Sequence, residues 1–147
     1  MSSFIRDMSI EDRESVIDMM RVFYTSQAVL TNGSEEIFSS DVENCTNDNP
    51  YLEGYIIEHG ETKEIQGYVM VAKSFSTEFG KPCMWIEDLY IKENYRSMGL
   101  GTKALNFICE KYPDALIRLE VEKENEKAVA VYKKCGFEEL PYMEMKK

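Results

Sequence analysis

Apolar side chains recur along the chain with two different periods, and each change of period marks an element. Residues 4–8 alternate and read as a first strand. Ser9, with Asp12 three residues on, then opens a helix that runs to about Tyr24. Its apolar positions Ile10, Val16, Ile17, Met20 and Phe23 fall at helical spacing. Residues 31–34 form a turn. Residues 34–44 form a second, more polar helix, with Glu35 and Glu36 in the first turn where acids suit the helix dipole. Beyond the break at residues 47–50 the period drops to two. Three strands follow, at 54–58, 66–73 and 83–91, with residues 60–63 as a hairpin turn and 74–82 as a longer polar loop. After Tyr95 the period is helical again. Leu100, Ala104, Leu105, Ile108 and Tyr112 share a face until Pro113 ends the helix. Residues 115–122 read as a strand and 126–134 as a short helix. Lys133 and Lys134 suit the negative end of that helix, and Gly136 suits the left-handed position past it. Residues 137–145 close the chain with strand-like sequence.

This order predicts an α/β fold with a mixed sheet. The segment 83–122 forms a strand, helix, strand unit, and hence a parallel pair with a right-handed crossover. With 147 residues, 44% of them apolar, the chain suits a single domain spanning residues 1–147. No apolar run approaches the length of a membrane helix, and residues 1–10 lack the basic-then-apolar order of a secretory signal, so the expectation is a cytoplasmic protein without membrane partners. Cys45, Cys83, Cys109 and Cys135 contain no CxxC pair and read as free thiols. No His/Cys/carboxylate cluster stands at ligand spacing, so no metal is implied. The net charge of −10 argues against a nucleic-acid surface and leans toward a small cationic substrate.

The chemistry concentrates where the third strand of the alternating region ends at Ile91. A polar loop follows, and Arg96-Ser97-Met98-Gly99-Leu100-Gly101-Thr102 leads straight into a helix. Glycines there let backbone amides approach a ligand, and the start of a helix favours an anion; with Arg96 alongside, a pyrophosphate fits. A Walker loop needs a different glycine–lysine spacing. Gly99, Gly101 and Ala104 do satisfy the dinucleotide fingerprint, but its glycines should open directly after the first strand, and too little chain follows for a second mononucleotide half.

The segment resembles the acetyl-CoA signature of the GNAT family of N-acetyltransferases, [QR]-x-x-G-x-[GA], matched by Arg96, Gly99 and Gly101. A second likeness lies downstream: Asn125, then Tyr132 seven residues later in a short helix that ends at Gly136-Phe137. Together they cover residues 84–137, and the motif likeness is nearest the diamine and aminoglycoside type of small-amine acetyltransferase. The resemblance implies a GNAT-like fold: a mostly antiparallel central sheet with one parallel unit and helices on both faces. It implies acetyl-CoA as cosubstrate, with coenzyme A as product, and a small-molecule amine as acceptor; a homodimer is compatible with it. Leu89, Tyr90 and Ile91 would present backbone groups to the pantetheine and acetyl carbonyl. Arg96, Ser97, Met98, Gly99, Leu100, Gly101 and Thr102 would cradle the pyrophosphate, and Asn125 and Ala128 would meet the pantetheine arm. Tyr132 would face the sulfur, and Glu87 matches a carboxylate that binds or deprotonates the amine.

Elementary chemistry asks for the same roles. An alkyl amine with a pKa of about 10.4 is protonated at neutral pH, and freeing it costs about 4 to 5 kcal/mol. Glu87 is the candidate base. A backbone amide near Tyr90 or Ile91 is the candidate donor to the developing oxyanion. An alkyl thiol (about 8.5) is more acidic than tyrosine (about 10), so complete proton transfer from Tyr132 would run uphill. Plainer readings stand beside these: Asn125 as a helix N-cap, Tyr132 as a core position beside Ala128 and Val129, Glu87 as a solvated sheet residue. Tyr24, Glu35, Glu36 and Asp41 are candidates for gripping a cation. A protein or peptide N-acetyltransferase and a non-catalytic acyl-CoA sensor are the alternatives.

Overall fold

The computed structural model describes Ser2 to Lys147. Five strands form one sheet in sequence order: β1 (Ser3–Asp7), β2 (Leu52–His59), β3 (Ile65–Ser76), β4 (Lys81–Ile91) and β5 (Leu116–Leu119). Neighbours are antiparallel except β4 and β5, which are parallel around the crossover helix α3 (Leu100–Lys111). Helices α1 (Arg13–Phe23) and α2 (Glu35–Thr46) lie between β1 and β2 in sequence, and α4 (Glu126–Lys134) follows β5.

The sheet separates two cores. On one face Val16, Ile17, Met20 and Phe23 of α1 and Phe38 and Val42 of α2 cover Ile56, Tyr68, Met70 and Tyr90. On the other, Leu100, Ala104, Leu105 and Ile108 of α3 cover Ile57, Val69, Val71, Met84 and Ile86, with Tyr132 and Phe137 packed at the margin. Burial of these stripes is the main favourable term. The helix starts are fixed as their sequences suggest. Ser9 and Asp12 form a reciprocal capping box on the 3-10 turn before α1, and the Ser34 side chain accepts from the Ile37 amide.

Three expectations change. Residues 74–82 are a tight hairpin rather than a long loop, with Ser74 opposite Cys83 and Ser76 opposite Lys81. The fifth strand is confined to Leu116–Leu119. Residues 137–145 form no strand: no neighbouring strand pairs with them, and Tyr142, Met143 and Met145 are exposed. All four cysteines are free thiols, but only Cys83 is fully buried. Among the described residues no helix is long and apolar enough to cross a membrane, and no group of three side chains is placed to hold a metal ion.

Candidate active site

Two breaks in regular pairing make the site. Along β4, Met70 of β3 faces Asp88 while Val71 faces Ile86, so Glu87 is the extra residue of a β-bulge. The bulge explains an odd spacing: Met84, Ile86, Leu89 and Ile91 all pack toward α3, while Asp88 is buried and Tyr90 packs toward α1. The second break is between β4 and β5, whose pairing ends at Ile86 opposite Leu119. From Glu87 to Ile91 the β4 backbone pairs only with β3. Its outer edge therefore carries amide and carbonyl groups that no strand pairs, the partners that an amide-bearing arm needs.

Beyond that gap lies a groove of about 1650 Å³ whose walls include Trp85, Glu87, Arg118, Glu120, Tyr132 and Glu144. Glu87 and Tyr132, far apart in sequence, thus share one cavity. Glu87 is open at its surface, yet protein packed around its carboxyl raises its pKa, and the charges of Asp88, Glu144 and Asp41 raise it further. Burial alone pushes the Tyr132 hydroxyl up, and its ring meets Phe137 edge-on at 6.0 Å. Arg118 stacks on Trp85, 4.6 Å from the ring.

Arg96 to Thr102 lie outside that lining and form a separate end of the site. Ser97 and Gly99 take left-handed conformations, φ 64° and 79°, that turn the chain into α3. No side chain caps α3, so its first amides stay free. A Cβ added at Gly99 or Gly101 would meet nothing within 4 Å, whereas one at Gly67 would strike the Tyr90 carbonyl oxygen at 2.3 Å. Open space over uncapped amides is what a pyrophosphate group requires, and these residues fit acetyl-CoA there. Arg96 donates Nε to the Ile91 carbonyl at 2.8 Å and lies 5.5 Å from the Tyr90 ring, tying loop to strand end. The Leu100 side chain is buried in the core, which leaves only its backbone for a ligand. The Cys135 thiol, 3.9 Å from Thr102 Oγ1, links the start of α3 to the end of α4.

Asn125 is the N-cap of α4, its Oδ1 accepting from the Ala128 amide at 3.4 Å, so the plainer role is present. Tyr24 and Asp41 meet at the α1/α2 face, where both sense the charge of Asp88; Glu35 is instead exposed and paired with Arg21. Sequence reasoning passed over Asp88, which accepts hydrogen bonds from Tyr24 and Tyr68. Simple alternation would place it on the face of Ile86, and only the bulge at Glu87 turns it to the face of Tyr90.

Comparison with known proteins agrees with this architecture. The model of the acetyltransferase (GNAT) family matches residues 15–137, and the chain belongs to that family. Among curated proteins it is similar to the thialysine N-epsilon-acetyltransferase of Sus scrofa, 29% identical over 95% of this chain and 86% of the relative. The Bos taurus protein of the same name is 33% identical over 52% of this chain, an alignment that spans less than half, 46%, of the relative. Among solved structures, a possible acetyltransferase from Clostridium difficile 630 superposes with a TM-score of 0.82 at 19% identity, covering 99% of this chain and 96% of the other. The aminoglycoside acetyltransferase AAC(6')-Iy, solved with a bisubstrate analogue, gives 0.79 at 14% identity, covering 100% and 98%. At these identities the likeness to solved structures is one of fold.

Proposed function

We propose that the protein transfers acetyl from acetyl-CoA to a primary amine of a small cationic acceptor by direct attack on the thioester. The observation that carries this is the convergence of Glu87 and Tyr132 on one groove, beside the gap where β4 leaves β5. Acetyl-CoA supplies the acyl group in activated form; the chain's residues bind, orient and move protons. The uncapped start of α3 and the open faces of Gly99 and Gly101 receive the pyrophosphate. The free edge of β4 at Leu89 and Ile91 offers amides to the pantetheine arm and to the negative charge that grows on the acyl oxygen, while Tyr90 between them pairs with Tyr68 of β3. Asn125 and Ala128, at the start of α4, border the arm.

Glu87 takes the proton that the amine must lose. Its raised proton affinity suits that role, since a base works best when its pKa approaches the working pH. Tyr132 acts as a hydrogen-bond donor to the departing sulfur; with its own pKa raised, full transfer to a thiolate is still less favourable than for free tyrosine. Glu87, Asp41 and Glu144 favour a cationic acceptor, and the similar thialysine and aminoglycoside acetyltransferases are named for amines of that class.

The test is release of free CoA thiol from acetyl-CoA across polyamines, aminoglycosides, amino acids and lysine peptides, with Glu87→Gln as control and correction for the protein's own cysteines. Release with one class of small amine, lowered roughly 100-fold or more by Glu87→Gln, is expected. Release with peptides alone would replace this acceptor assignment by the protein N-acetyltransferase reading. Acetyl-CoA binding without release against any acceptor would favour the sensor.

A further inference from the structure

Asp88 follows Glu87 at the bulge and is 3% exposed, on the α1/α2 side of the sheet. The Tyr24 hydroxyl, at the C-terminal cap of α1, donates to its Oδ1 at 3.0 Å; the Tyr68 hydroxyl, on β3, donates to its Oδ2 at 2.8 Å. None of the ion pairs among the described residues includes it. A buried carboxylate without a countercharge is costly, and an asparagine of the same shape could bridge the two tyrosines at less cost. The tyrosines are firm donors, because burial and then the Asp88 charge push both hydroxyls above their ordinary range. Burial raises the Asp88 pKa, and their hydrogen bonds hold that rise down without cancelling it. The carboxylate therefore has a held position, at the bulge itself.

We infer that Asp88 is a positioning residue for acetyl transfer: gripped by Tyr24 and Tyr68, its carboxylate fixes the β4 bulge that presents Glu87 and strengthens Glu87 as a base by standing next to it. This rests on the reading of Glu87 as the base. The charge of Asp88 is the largest electrostatic influence on Glu87 after desolvation, ahead of Glu144 on the C-terminal segment and Asp41 on α2. The other charges in the groove are Arg118 on β5, Glu120 just beyond it, Lys123 before α4 and Lys133 on α4, with Glu138 and Glu139 after it and the Tyr132 hydroxyl between. Asp88 differs from all of them in being fixed by two tyrosine hydrogen bonds and screened from water. Around Asp88 itself stand Tyr24 from α1, Asp41 from α2, Tyr68 from β3 and Glu87 from its own strand.

The direct test needs no acceptor. Carboxyl carbon NMR of protein labelled at glutamate, with the Glu87 signal assigned by its loss in Glu87→Gln, follows the titration of Glu87 with pH. In Asp88→Asn its midpoint is expected to fall by about half a unit or more. An unchanged midpoint in a folded variant overturns the inference. If Asp88→Asn does not fold, Tyr68→Phe serves: with one donor gone Asp88 is protonated more readily, so the Glu87 midpoint falls again, and an unmoved midpoint is equally fatal. With spermidine as probe acceptor, the acid limb of kcat/KM should move to lower pH in step, while the KM for acetyl-CoA stays put. A limb that persists in Glu87→Gln would remove Glu87 as the base and leave the measured Asp88–Glu87 coupling standing, so the two failures are distinguishable.

Discussion

At position 132 a single oxygen separates a hydrogen-bond donor from an inert ring of the same shape. The ring packs edge-on against Phe137 and would do so equally as phenylalanine. Burial alone, with no hydrogen bond, sets the hydroxyl's raised pKa, so removing the oxygen should leave Tm unchanged or slightly higher. Turnover is expected to fall about tenfold in Tyr132→Phe, with the KM for acetyl-CoA within about twofold, as read by initial-rate thiol release. Unchanged turnover would return Tyr132 to the core. Candidates of this kind were legible because short local patterns mark them: Arg96, Gly99 and Gly101 around the start of one helix, Asn125 before another. Asp88 was not, because its burial depends on the bulge at Glu87. A bulge of this sort carries no glycine or proline to announce it.

Gly101 separates what α3 needs for stability from what it needs for binding. It is the second residue of the helix, where alanine is favoured over glycine by roughly 0.5 to 1 kcal/mol, and nothing lies within 4 Å of the added methyl. Gly101→Ala should therefore raise Tm slightly while raising the KM for acetyl-CoA severalfold, since the methyl enters the space over the free amides. Gly99→Ala differs: at φ 79° the side chain is strained by roughly 1 to 2 kcal/mol, so stability and binding should fall together. Thermal melts beside cofactor titrations separate the two patterns; a Gly101→Ala enzyme with unaltered KM would move the pyrophosphate elsewhere. Helices were legible in sequence to within a few residues because their buried stripes are long and their caps specific. Strand limits were not, because a strand depends on its partner. Polar Ser74 and Ser76 pair in the β3–β4 hairpin beyond the core, and alternating residues 137–145, lacking a partner, form no strand.

Across the whole molecule the chain carries a net charge of −10, and the cost and use of such charge meet at Asp41. This half-buried residue of α2 has no ion-pair partner among the described residues, and burial and then the Asp88 charge push its pKa up to about 6. In the unfolded chain it titrates near the ordinary value of about 3.9. Between those values the folded state holds the proton more tightly, so stability falls as pH rises through the window, and the full penalty is present above about pH 6. Asp41→Asn should accordingly stabilise the protein at pH 7.5, by ~1 kcal/mol once the shift is discounted for solvent screening, with the gain vanishing below about pH 4. If the charge draws the acceptor in, the same substitution raises the KM for spermidine severalfold, and less so at high salt, where screening weakens the attraction. Denaturant melts at pH 4 and 7.5, paired with KM at two ionic strengths, measure both effects. Greater stability with an unmoved KM would make Asp41 an incidental burial and leave Glu87 and Glu144 to hold the cation.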